Sequence, residues 1–196
     1  FQRVKTSLVP FDLHPSIEPL ITRLVHACGM PDIVPALKWD EAVIDTASAA
    51  LQRGAPILCD CEMVAAGITR RFLPADNQVT VTLNDACVPA LAKTLSTTRS
   101  AAAVTLWEPY LDGAIIAIGN APTALFAVLE LIERTRIQPA AILGFPVGFV
   151  GAAESKQTLA EFGHLVPFLT LHGTRGGSAM ASAAVNALAI LAKETA

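Results

Sequence analysis

The stretch Ala114-Ile-Ile-Ala-Ile118-Gly-Asn-Ala-Pro122-Thr-Ala-Leu-Phe-Ala-Val-Leu-Glu-Leu-Ile-Glu-Arg-Thr-Arg136-Ile-Gln-Pro-Ala140-Ala-Ile-Leu143 holds two short apolar runs with a longer periodic segment between them. Ala114–Ile118 and Ala140–Leu143 are apolar at every position, the pattern of strands buried on both faces. Pro122 is pre-organised for a first helical turn, so the spacing predicts a helix over Thr123–Arg136. Strand, helix and strand in succession form a crossover unit, which parallel neighbours in a sheet require.

The same alternation extends in both directions. Ile57–Cys59, Val79–Leu83 and Pro167–Leu171 read as further strands. Helices are expected at Ile17–Cys28, Asp40–Arg53, Glu62–Arg71, Val88–Leu95, Ser100–Tyr110 and Gly177–Lys193. The first of these carries Ile17, Leu20, Ile21, Leu24 and Val25 on one stripe. No linker, repeat or low-complexity tract interrupts the pattern. The expectation is one domain over residues 1–196: an α/β, three-layer αβα fold with a mostly parallel, Rossmann-like doubly wound sheet. In such folds ligands sit at the carboxyl ends of the strands.

The 196 residues are 53% hydrophobic and 16% charged, against roughly 25% charged in ordinary soluble domains. That excludes a disordered chain. Gly, Pro, Ser and Asn break the charge-free stretches before they reach the roughly 20 apolar residues of a membrane span. No basic start leads into an apolar run, so no secretory leader is expected. A net charge of −3 argues against nucleic acid as a partner, since phosphate binding calls for a basic face. Cys28, Cys59, Cys61 and Cys87 do not form a disulfide framework in a chain this long, which suits a reducing cytoplasm. Cys59 and Cys61 have a single residue between them, closer than zinc ligands usually are, and read as buried small side chains.

Three polar or glycine-rich turns follow predicted strands or open predicted helices. Gly144-Phe-Pro-Val-Gly148-Phe-Val-Gly151 leads into a helix that begins Ala-Ala-Glu154-Ser-Lys156. Its glycines allow close backbone approach to a ligand, and the helix start favours anions. It matches neither dinucleotide nor Walker spacing. Gly173-Thr-Arg175-Gly-Gly-Ser178 places an arginine beside two glycines, a suitable carboxylate clamp. Ser96-Thr-Thr98-Arg99-Ser100 caps a helix and frees Arg99 to face a ligand. Of the four histidines, His26 stands out: it ends an apolar helix three residues before the Gly29 stop, on the face that carries Arg23. Histidine is the side chain whose charge changes near neutral pH, so His26 suits proton donation or acceptance. His14, His164 and His172 read as surface or loop residues.

His26-Ala-Cys-Gly-Met30, Ala55-Pro-Ile-Leu-Cys-Asp60 through Gly67-Ile-Thr69, Thr98-Arg-Ser-Ala-Ala102, Gly119-Asn-Ala-Pro-Thr123, the Gly144–Gly151 turn with Glu154-Ser-Lys156, and Arg175-Gly-Gly-Ser178 to Asn186-Ala-Leu188 occur in this order. Together they resemble the precorrin-8X methylmutase family of cobalamin biosynthesis, from about His14 to Leu188. The resemblance implies an isomerase that moves a methyl group from carbon 11 to carbon 12 of a corrin-like macrocycle, by what resembles a sigmatropic shift. The substrate would be precorrin-8 or its cobalt form, and the product hydrogenobyrinate or cobyrinate. It implies no cofactor, no protein-bound metal and a homodimer with substrate near the interface. The family's catalytic histidine falls on His26 and the arginine of its Thr-Arg-Ser motif on Arg99. Arg23, Thr69, Arg70, Thr98, Ser100, Arg175 and Lys156 are then candidate partners for the macrocycle's carboxylates. Phe145, Val147 and Phe149 would line an apolar cleft for the ring. Phe1 stands near the phenylalanine of a family Ser-Phe pair, and Cys61 departs from the family pattern. The rivals are a non-catalytic tetrapyrrole carrier on the same fold and a nucleotide-binding enzyme.

Overall fold

A computed structural model describes residues 1–163 and 165–194; His164 lies outside them. Six strands form one sheet in the order β1-β6-β5-β4-β2-β3. They are β1 (Leu37–Trp39), β2 (Ile57–Cys59), β3 (Val79–Val81), β4 (Ile115–Ile118), β5 (Ala141–Gly144) and β6 (Phe168–Leu171). All neighbours pair in parallel except β1, which runs antiparallel to β6, with Leu37 opposite Leu171 and Trp39 opposite Leu169. The five parallel strands follow the doubly wound order whose direction of winding reverses between β2 and β4.

Alternate side chains of each strand point to opposite faces, and here both faces are buried. Ile57, Cys59, Ile115, Ala117, Leu143, Leu169 and Leu171 meet the layer of α2 (Glu18–Cys28), α3 (Val43–Gln52), α4 (Glu62–Gly67) and α9 (Ser178–Glu194). Leu58, Ile116, Ile118, Ile142 and Phe168 meet α7 (Pro122–Thr135), α8 (Ala152–Phe162) and Trp107. This two-sided burial is why the strands read as unbroken apolar runs. Two short helices, α5 (Val88–Thr94) and α6 (Arg99–Val104), pack beside α7 over a smaller cluster. Helix α1 (Gln2–Leu8) lies against α2.

Helix α9, almost without charge until Lys193, runs through the middle of its layer and touches α2, α3, α4, β4 and β5. Its alanines serve this chain's own core. Two expected helices are shorter than the pattern suggests. Ser100–Tyr110 divides into α6 and a 3-10 turn, Thr105–Tyr110, that contains Pro109. Glu62–Arg71 divides into α4 and a 3-10 turn at Arg70–Phe72. Among the described residues no helix is long and apolar enough to cross a membrane.

Candidate functional site

The topology fixes which residues reach the carboxyl edge of the sheet. At the reversal point, Asp60 directly follows β2 and is 3% exposed. One carboxylate oxygen accepts the Gly119 N–H at 2.9 Å; the other accepts those of Asn120 and Ala121 at 2.9 and 2.8 Å. Burial holds the carboxyl above its ordinary range, while the three N–H groups pull it down. These donors form the start of α7, a helix N-terminus at the reversal point of the sheet where an anion could otherwise bind. Here the protein's own carboxylate fills it, which argues against the nucleotide-binding rival.

Beyond that point stands the Thr98-Arg99-Ser100 segment. The Thr98 hydroxyl accepts the Ala101 N–H at 3.1 Å, capping α6, and donates to the Thr123 hydroxyl at 2.9 Å. Arg99 is exposed; its guanidinium donates to the Leu83 carbonyl and the Asn84 side chain, both at 3.2 Å, just past β3. Ser100 is half-buried on the first turn.

Arg175 lies past β6, where its guanidinium pairs with Asp32 at 2.6 Å. Both groups are largely exposed, and the contact holds the Asp32 carboxyl below its usual range. From β6 to β3 is four strand spacings, so Arg175 and Arg99 flank an edge roughly 19 Å wide. Behind Arg175, Lys156 is fully buried and donates to the Arg175 carbonyl at 2.5 Å. It therefore braces the loop and does not reach outward as a clamp.

His26 reaches the same edge by a different route. Strand β1 starts opposite the carboxyl end of β6, and the His172 N–H donates to the Ala36 carbonyl at 2.9 Å. The segment leading into β1 comes directly from the end of α2, so the last turn of α2 lies at that edge. Gly29, at φ 68°, closes the helix there, its N–H donating to the Val25 carbonyl at 2.8 Å. His26 is exposed, its ring 4.8 Å from the Phe1 ring, and the Arg23 guanidinium stands 5.2 Å from that same ring.

Two candidates stand apart from this group. The Thr69 N–H donates to the Asn186 side chain at 2.8 Å, and Asn186 returns a bond to the Gly67 carbonyl. Asn186 is eight residues into α9, about 12 Å down the helix from the carboxyl edge. Thr69 is therefore held away from the arginines and His26 within one chain, and Arg70 follows it in a 3-10 turn.

The expected ring-lining residues divide. Phe145 is fully buried and lines no cleft, because it belongs to the layer beneath the sheet. Val147 is 45%, Phe149 94% and Val150 89% exposed, so the turn after β5 projects an apolar tip at the edge. A cavity of about 800 Å³ lies elsewhere, lined by His14, Trp39, Ile44 and Leu191 near the far end of β1. Cys59 and Cys61 are buried, Cys61 sharing a hydrogen bond with Ser178 at 3.5 Å, and burial pushes the Cys59 thiol well up. His14 is exposed and bonds Ser16, whereas His172 is half-buried. In the sequence Asp60 stands out only as the end of the Ala55–Asp60 motif. Its signal was the acidic residue closing an apolar strand run.

The model of the precorrin-8X methylmutase family matches residues 1–191. A Precorrin-8X methylmutase of Pseudomonas aeruginosa is 55% identical over 181 residues, which span 92% of this chain and 85% of that one. A Cobalt-precorrin-8 methylmutase of Methanocaldococcus jannaschii is 37% identical over 174 residues, 89% of this chain and 79% of that one. A crystal structure of the Thermus thermophilus precorrin-8x methyl mutase superposes with TM-score 0.88 at 34% identity, covering 99% of this chain and 95% of that one.

Proposed function

The chain belongs to the precorrin-8X methylmutase family, and from that premise we propose how its own residues carry out the isomerisation. The reaction moves a methyl group between adjacent ring carbons, breaking the bond at carbon 11 and forming one at carbon 12. Nothing is added or lost, so the protein's task is to bind the ring, hold one tautomer and move a proton. His26 is the acid/base: it is exposed at the carboxyl edge, beside Arg23 and Phe1. A positioned group of this kind contributes about 10²–10⁴-fold. Arg99, Thr98 and Ser100 at one end of the edge, and Arg175 and Arg23 at the other, meet the acid side chains of a wide ring.

The observation that carries this reading is that the topology brings His26 and two exposed arginines to one edge of a sheet. Arg175 exchanges its Asp32 partner for a substrate carboxylate. Thr69 and Arg70 bind substrate only where a second copy of the chain brings them to the edge. The exposed tip Phe149-Val150 and the shortage of surface charge support such a homodimer. The relatives named for the metal-free precorrin are 55% identical and those named for the cobalt form 34–37%. That difference favours precorrin-8 without cobalt as substrate.

The test follows the absorbance change of precorrin-8 with wild type and His26→Ala. The variant is expected to bind the macrocycle as wild type does while kcat falls at least about 100-fold. Conversion at the wild-type rate would remove His26 from the chemistry.

A further inference from the structure

We infer that Asp60 is a positioning residue for substrate binding: its buried carboxylate fixes the Gly119–Ala121 turn, and through the Thr123–Thr98 contact it sets the helix that presents Arg99. This rests on the reading above of Arg99 as a carboxylate partner.

The link runs through hydrogen bonds and the short stretch of backbone from Ala121 to Thr123. Asp60 is anchored to the sheet, its N–H donating to the Ala117 carbonyl at 3.2 Å. Its two oxygens accept three successive N–H groups, those of Gly119, Asn120 and Ala121. Ala121 is the residue that caps α7, and Thr123 lies in the first turn. The Thr123 hydroxyl holds that of Thr98, which caps α6, and Arg99 is the first residue of α6. The Thr98 cap sets where the first turn of α6 begins, ahead of Ala102–Val104, which are buried and dock the rest of the helix, the Ala103 carbonyl accepting the Thr82 hydroxyl at 2.8 Å.

The carboxylate is specifically required. Both oxygens must accept, one on the Gly119 side and one on the Asn120–Ala121 side. An asparagine of the same size turns one acceptor into a donor facing a donor. The turn cannot relax toward α9 or α4, since a Cβ built on Gly119 would stand 2.6 Å from the Ser178 Cα and 2.7 Å from a Val64 methyl. The disturbance therefore passes outward to Thr123 and Thr98.

The experiment measures hydrogenobyrinate affinity and the kinetics of precorrin-8 conversion for wild type, Asp60→Asn, Arg99→Ala, the double variant and Thr123→Val. Arg99→Ala and Asp60→Asn are each expected to weaken Kd about tenfold, the scale of one charge-assisted hydrogen bond. Asp60→Asn raises KM to match and leaves kcat within about threefold. The double variant loses less than the product of the two single losses, because Asp60 acts through the segment that carries Arg99. Thr123→Val cuts the link without touching the buried carboxylate and shifts KM in the same direction, so it carries the test if Asp60→Asn does not fold. Two results overturn the inference and leave the Arg99 reading standing: multiplicative losses in the double variant, or unchanged KM in folded Asp60→Asn and Thr123→Val. Unchanged affinity in Arg99→Ala defeats both.

Discussion

Lys156 keeps its whole side chain inside the protein, with its ammonium on the Arg175 carbonyl at 2.5 Å. Burial lowers its pKa from 10.5 to about 8. Below pH 8 both folded and unfolded chains hold the proton, and the fold bears the full desolvation cost, about 3 kcal/mol. Between pH 8 and 10.5 the unfolded chain binds more protons than the folded one, so stability rises with pH across that window. Lys156→Met has no such window. The unfolding free energy of wild type minus that of Lys156→Met, measured in denaturant, is expected to climb by about 3 kcal/mol from pH 7 to 11. A flat difference would mean that the ammonium is solvated. In the sequence this lysine was one more cation in a glycine-rich motif. Its burial became visible only with the fold, because it depends on α8 packing against a loop from beyond β6. His26 was more legible, since the apolar stripe, the last turn and Gly29 are all local. Asp60 was less so, because its three partners lie about 60 residues away.

At the scale of elements, the turn between β4 and α7 passes close under the first turn of α9. Gly119 is the contact point, where a methyl group would meet the Ser178 backbone at 2.6 Å. Backbone cannot move aside as a flexible side chain can. Gly119→Ala is therefore expected to cost about 1–3 kcal/mol in chemical denaturation, and a loss below about 0.5 kcal/mol would show that the two elements separate easily. The same scale explains what the sequence concealed. Four of the parallel strands, β2, β4, β5 and β6, announced themselves through runs buried on both faces, whereas β3 at the sheet edge is half-buried throughout and has Thr80 at its centre. Strand β1 did not, because three residues with an exposed Lys38 at the centre carry no period, and its pairing to β6 is an edge contact 130 residues distant. Helix α6 ended early because Pro109 lacks an N–H and the chain tightens into a 3-10 turn ahead of it. The sequence of the turn after β5 offers Phe145, Val147 and Phe149 alike as ring-lining residues, but strand alternation and burial divide them. Phe145 continues the inward face, whereas Phe149 stands free.

For the molecule as a whole, the sheet separates two cores, and one tryptophan reports on each. Trp107 is 1% exposed in the core under α7, and Trp39, half-buried on β1, packs against the core that holds α2, α3 and α9. A chain with a net charge of −3 has little long-range attraction to offer a polycarboxylate. It depends on arginines held at set places along one sheet edge, and those places exist only while both layers are docked on the sheet. Arg99 hangs from the α6–α7 layer, and His26 and Arg23 from the α2 layer. The site therefore requires that the layers fold as one unit, which the sharing of every central strand between the two cores enforces. Single-tryptophan proteins made by Trp39→Phe and Trp107→Phe test this. In urea, the fluorescence transitions of both are expected to coincide with loss of the helical circular dichroism signal, at one midpoint for each protein. A homodimer would move both midpoints upward together as protein concentration rises. If the Trp39 signal were lost well before the Trp107 signal, the α2 layer would be a separable unit, and His26 would leave the site while Arg99 stayed in place.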